Sequence, residues 1–150
     1  MHRNKILSPK RAAGKWILFL AVATAAIIGS GAQASDWTTF LGPRGDGRSD
    51  ETGLSTVWPP SGLPVVWYRV IGEGYSAPSV SQGRLFNFDR VNGRARLSSF
   101  ESRTGREIWS RDYASDYRDY YDYSNGPRTS PVVDGDRVYT FGVEGRLRCH

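Results

Sequence analysis

The chain contains a single cysteine, Cys149, only two histidines, and no lysine beyond Lys15. One cysteine makes no internal disulfide, so a small disulfide scaffold is excluded, and Cys149 reads as a half-buried strand residue. His2 and His150 stand alone, and neither assembles a metal site or a catalytic triad by itself. The Gly-rich pieces lack G-x-x-x-x-G-K and open no helix, which argues against a phosphate cradle. Beyond residue 34 no segment spaces its apolar residues helically. What remains is dense in Gly and Pro, with Val, Tyr, Phe and Trp clustered between them, which is the chemistry of strands and turns.

One long apolar run exists, and it lies at the start. Arg3, Lys5, Lys10, Arg11 and Lys15 form a cationic leader, Trp16 to Ile28 is apolar, and Ala32-Gln33-Ala34 supplies the small residues of a cleavage site. As a helix the run would rise roughly 20 Å against a hydrocarbon core of about 30 Å, so it reads as a signal peptide over 1–34, not as an anchor. No Arg-Arg pair precedes it and no Cys follows it, which favours general secretion over twin-arginine export or lipidation. The expectation is a periplasmic or extracellular protein with no stable membrane span after cleavage.

Charge is divided the same way. Five of the twenty basic residues fall in 1–34 and none of the fifteen acids do, so the remainder carries fifteen of each sign and is neutral. The basic pI therefore belongs to the leader and gives no argument for nucleic-acid binding.

Residues 35–66 hold turn signals (Gly42-Pro43, Gly45-Asp46-Gly47, Pro59-Pro60, Gly62) and few strands, and read as a lead-in strap. From 67 to 150 the pattern is regular. Strands are expected at Val65 to Val70, Ser76 to Val80, Arg84 to Phe88, Arg96 to Phe100 and Glu107 to Arg111. Gln82-Gly83, Asn92-Gly93 and Thr104-Gly105 place Gly where a hairpin needs positive φ, predicting an antiparallel meander. Ala77-Pro78-Ser79-Val80 through Arg84-Leu85-Phe86 recurs as Ser130-Pro131-Val132-Val133 through Arg137-Val138-Tyr139, and Gly93-Arg94 with Leu97 is echoed by Gly145-Arg146-Leu147. Repetition on this scale indicates stacked four-stranded units, as in a β-propeller.

Within that repeat, Ser99-Phe100-Glu101-Ser102-Arg103-Thr104-Gly105-Arg106-Glu107-Ile108-Trp109 resembles the tryptophan-docking motif of propellers that bind pyrroloquinoline quinone (PQQ), A-x-D-x-x-T-G-x-x-x-W. Thr104, Gly105 and Trp109 match, while Ser99 and Glu101 are conservative departures. The lead-in is similar to the start of PQQ-binding-like and BamB-like proteins through Trp37, Phe40, Gly42-Pro43-Arg44, Trp58-Pro59, Trp67 and Gly72 to Pro78. The resemblance implies an all-β propeller of four-stranded blades, of which about one and a half are present. It also implies that the sequence is part of a longer protein, of roughly 400 residues by repeat arithmetic.

The same resemblance implies either a cofactor-free scaffold or a quinoprotein alcohol or sugar dehydrogenase holding PQQ and Ca²⁺, since one fold serves both. No Cys-Cys pair is present, and no Asp can be matched to a catalytic base. The expectation is therefore a non-catalytic binding module with protein or envelope partners. Its candidate contact surface is the Asp- and Tyr-rich segment from Tyr113 to Arg128, through Tyr117, Tyr120, Tyr121 and Tyr123. Asp116, Asp119 and Asp122 are hard oxygen ligands of the kind Ca²⁺ takes, but their spacing fits no EF-hand. The plainer expectation is that the carboxylates pair with Arg111, Arg118 and Arg128. Asp46, Asp50 and Glu51 read as turn residues, and Arg44-Gly45-Asp46 as part of the strap, not an adhesive tripeptide.

Overall fold

The computed structural model describes residues 35–150; the expected leader, 1–34, lies outside the described residues. The described chain is all β, with seven strands in two antiparallel sheets and no helix. Consequently no helix among the described residues is long and apolar enough to cross a membrane.

The first sheet contains β1 (Ser79–Ser81), β2 (Arg84–Val91), β3 (Arg94–Glu101) and β4 (Glu107–Ala114) in sequential order, the meander expected from the turn residues. The β1–β2 and β2–β3 turns are Gln82-Gly83 and Asn92-Gly93, all four residues with φ between 50° and 74°. That pair of left-handed residues matches the twist of the flanking strands and so fixes their register. The second sheet contains β5 (Val132–Asp134), β6 (Arg137–Phe141) and β7 (Leu147–Cys149), again in order. Its first hairpin copies the earlier one: Ser79 pairs with Phe86, and Val132 with Tyr139, each 53 positions later.

Strand alternation sorts the first sheet into two faces. Phe86, Phe88, Ala95 and Leu97 point to one side and form a buried core with Val133 and Val138 of the second sheet, flanked by Trp109 and Tyr113. Leu85, Asn87, Asp89, Ser98 and Phe100 point to the other side, where the segment just after the lead-in lies: Gly72 N–H donates to Asp89 Oδ2 at 2.8 Å, and Arg69 stacks on Phe100 at 5.1 Å. Asp89 is buried, and it is stabilised there by a forked pair with Arg96 at 3.0 and 2.7 Å. The lead-in also ties the sheets together. Trp37 exchanges two 2.8 Å backbone bonds with Val80, and Thr38 C=O accepts from Val133 N–H at 2.9 Å.

Two expectations need correction. Val65 to Val70 forms no strand: it has no ladder partner among the described residues, and the regular backbone contact nearest to it is an isolated bridge between Glu73 and Arg90. A strand pattern needs a neighbour to pair with, and none is supplied there. Cys149 does lie on a strand, β7, but its side chain is exposed rather than half-buried.

Candidate functional site

The docking-type motif closes the β3–β4 connection. Thr104 Oγ1 donates to Glu101 Oε2 at 2.6 Å and accepts from Arg106 N–H at 3.2 Å, and Gly105 N–H donates to Glu101 C=O at 2.9 Å. The Thr104 hydroxyl first, then the Arg106 guanidinium, hold the Glu101 carboxyl below the ordinary carboxylate range. Ser99 is fully buried in the row Phe86–Ser99–Trp109, and its small side chain lets the two rings approach to 6.1 Å over it. Between Phe100 paired with Glu107 and Ser99 paired with Trp109 the register slips by one residue. Without that bulge the indole of Trp109 would fall on the opposite face, away from Phe86.

Trp109 lines a cleft of about 840 Å³ between the sheets, together with Phe86, Val133, Val138, Arg111 and Arg148. A second indole covers Gly105. Trp67 Nε1 donates to Ser102 C=O at 2.8 Å, and a Cβ added at Gly105 would lie 2.7 Å from the Trp67 ring. The motif singles out Trp109, but the ring seated on the Thr-Gly turn is Trp67. Trp67-Tyr68-Arg69 and Trp109-Ser110-Arg111 share the W-x-R pattern, which is the sequence signal for this equivalence.

Residues 115–128 leave the end of β4 and return to β5 by way of the tyrosine-rich segment. The segment is built around two charged side chains. Arg90, with its side chain 11% exposed, donates through Nη1 to the carbonyls of Tyr117 and Asn125 at 2.9 and 3.1 Å, and through Nη2 to that of Ser115 at 2.8 Å. Its place in β2 follows from alternation: it shares the face of Phe86 and Phe88 but stands at the end of the strand, where the core gives way to loop backbone. Asp119, its carboxylate 6% exposed, accepts from Arg128 Nη2 at 2.6 Å, Tyr123 N–H at 2.8 Å and Tyr117 Oη–H at 3.3 Å. Arg128 first, then the Tyr123 amide, hold its carboxyl below the usual carboxylate range.

The far end of the segment is stitched to the stretch that precedes β1. Tyr75 N–H donates to Pro127 C=O at 2.8 Å, and Gly126 passes so close to the Glu73 backbone that a Cβ would lie 2.1 Å from the Glu73 carbonyl oxygen. Asn125 Oδ1 accepts from Asp119 N–H at 2.8 Å. Between these anchors the turn at 120–123 projects outward, with Tyr120, Tyr121 and Tyr123 exposed by 90%, 70% and 75%. Tyr120 meets Tyr121 edge-on at 5.0 Å, and Tyr121 stacks on Tyr123 at 6.0 Å.

Of the four tyrosines read as a contact surface, three are therefore gathered into one patch. Tyr117 is half-buried and belongs to the scaffold beneath, under Arg128 at 5.9 Å. The three aspartates do not converge: Asp119 is committed to Arg128, while Asp116 and Asp122 are exposed. Among the described residues no three His, Cys, Asp or Glu side chains form a group able to hold a metal ion. The expected pairing holds for Arg128, whereas Arg111 donates to Ser110 C=O, and Asp112 pairs with Arg94 instead. Arg44 bonds Asp46 and Asp50 and so closes their turn, while Glu51 accepts from the more distant Ser35 N–H. Arg90 was not singled out from sequence. An Arg in phase with two Phe on an apolar face was the available signal.

Comparison with protein-family models, with curated proteins and with solved structures finds no match for this chain.

Proposed function

We propose that the chain is an exported, propeller-type scaffold whose two sheets are successive blades and whose tyrosine turn is a docking surface for a protein partner in the cell envelope. The observation that carries this reading is the buried framework under an exposed aromatic patch. A guanidinium and a carboxylate, both largely withdrawn from water, are used to hold a loop, and what the loop displays is three rings. Charges withdrawn from water are stabilised only when each is multiply bonded, and a loop serving only as a connection has little use for them. Rigid tyrosines offer large contact area with little conformational entropy to lose, which is why they are enriched where proteins bind. The export expectation rests on the leader and on the resemblance to PQQ-binding-like repeats.

The test is a photoreactive phenylalanine analogue placed at 120, 121 or 123 of the exported chain in its native host, with Glu51 as a distant control position. The reading predicts one and the same protein cross-linked from all three turn positions and not from 51, and loss of that adduct in a chain that also carries Arg90→Leu. Adducts indistinguishable from those at 51, or reduction of an electron-acceptor dye after addition of PQQ and Ca²⁺, would overturn it.

A further inference from the structure

The residues that follow Ala34 are each held by a different part of the chain. Ser35 N–H donates to Glu51 Oε1 at 3.1 Å. The Asp36 carboxylate accepts from Ser81 Oγ–H at 2.7 Å and from Gln82 N–H at 3.1 Å, closing over the β1–β2 turn. Trp37 is bridged to Val80, and Thr38 beside it accepts from Val133 N–H of the second sheet. Ser35 thus adjoins the residues that tie the two sheets to each other.

The acceptor at Ser35 has charge to spare. Arg44 takes both Asp46 and Asp50, whereas Glu51 has no ion pair among the described residues. Its carboxylate receives, at Ser35, only the donor of a neutral amide. The sequence supplies the missing cation. Ala32-Gln33-Ala34 marks the Ala34–Ser35 bond for cleavage. Hydrolysis of that bond consumes one water and leaves a carboxylate on Ala34 and an α-ammonium on the Ser35 nitrogen, the same atom that already lies within ion-pair reach of Glu51. An α-amino group stays protonated below about pH 8.

We propose that removal of the leader fastens the strap: the Ser35 α-ammonium released by cleavage pairs with the Glu51 carboxylate and holds Asp36 and Trp37 on β1. This rests on the export reading and adds to it a defined mature N-terminus with a structural task. The ammonium gains its partner in the folded state, so its folded pKa is raised. The fastening is therefore complete below the ordinary α-amino value of about 8 and is lost as pH rises through the higher folded value. Both groups are exposed, so salt weakens the pair.

The test compares the exported chain with two variants, Glu51→Gln and a chain with one glycine inserted between Ala34 and Ser35, which moves the ammonium by about 3.8 Å. No lysine follows Lys15, so the α-amine is the primary amine that an acylating ester meets in the processed chain. Its acylation rate against pH is read by mass spectrometry of the N-terminal peptide, whose sequence also gives the cleavage point. The proposal predicts a chain that starts at Ser35 and an acylation midpoint at higher pH than in either variant. It also predicts amide exchange at Trp37 and Val80 about two- to five-fold faster in both variants at neutral pH. Retention of Met1 would overturn the export reading and the proposal together. A chain that starts at Ser35 but matches both variants in acylation and exchange overturns the proposal alone, as does cleavage at another bond.

Discussion

At Gly105 two requirements meet in one residue. The turn needs φ of +69°, and the Trp67 ring lies where a side chain would begin. Gly93 has the same left-handed backbone, at +74°, with open space around it. The pair separates conformational strain from lost packing. Gly93→Ala should cost about 1 kcal/mol from the backbone alone. Gly105→Ala should cost on the order of 3 kcal/mol, because the indole must also be displaced. Urea unfolding of the two variants checks this, and equal losses would show that Trp67 does not sit on the turn. Trp109 presents the converse case, since its position depends on the one-residue bulge that turns it toward Phe86. The Thr-Gly turn was legible in the sequence because its residues act locally. The identity of the indole upon it was not, because Trp67 reaches Gly105 from 38 positions away.

Among the elements, the hairpins were the most legible. Gln82-Gly83 and Asn92-Gly93 dictate their turns through backbone preference alone, and β1 to β4 lie where those turns put them. The unpaired Val65 to Val70 was the least legible, since β pattern reports fitness to pair and not the presence of a partner. The tyrosine turn stands between: its composition marked it as a surface loop, but the ion pair that shapes it joins residues nine apart through a half-buried site. That pair makes the element sensitive to acid. The Asp119 carboxyl is depressed in the folded state by Arg128, so its stabilisation is complete above the ordinary carboxylate range. It is lost as pH falls from that range through the depressed folded value. Backbone exchange in residues 117–128, corrected for its intrinsic pH dependence, should therefore rise in this acid window while β2 and β3 stay protected. In Asp119→Asn the acid-dependent increase should vanish, with the loop already loosened at neutral pH. An unchanged acid response in the Asn variant would assign the effect to another carboxylate.

For the molecule as a whole, the repeat in the sequence became two antiparallel sheets with matching hairpin registers and a shared core, so the all-β class was readable in advance. The proposed docking surface was readable only in part. Tyrosines announce themselves by type, but the framework beneath them is spread over β2, the stretch before β1 and the loop itself, through Arg90, Glu73 and Asp119. That framework is the centre of the account, because a flexible tyrosine loop would carry no argument for docking. The most direct measurement is residue-resolved amide exchange by NMR at neutral pH. The account predicts slow exchange at Asp119 and Tyr123, whose N–H groups are held by Asn125 and Asp119, and fast exchange at Tyr120 and Tyr121 beside them. Arg90→Leu should release the two slow amides by 10-fold or more, the effect of losing about 1.4 kcal/mol of local protection, while Phe86 to Phe88 remain slow. Random-coil exchange at Asp119 and Tyr123 in the unaltered chain would contradict it.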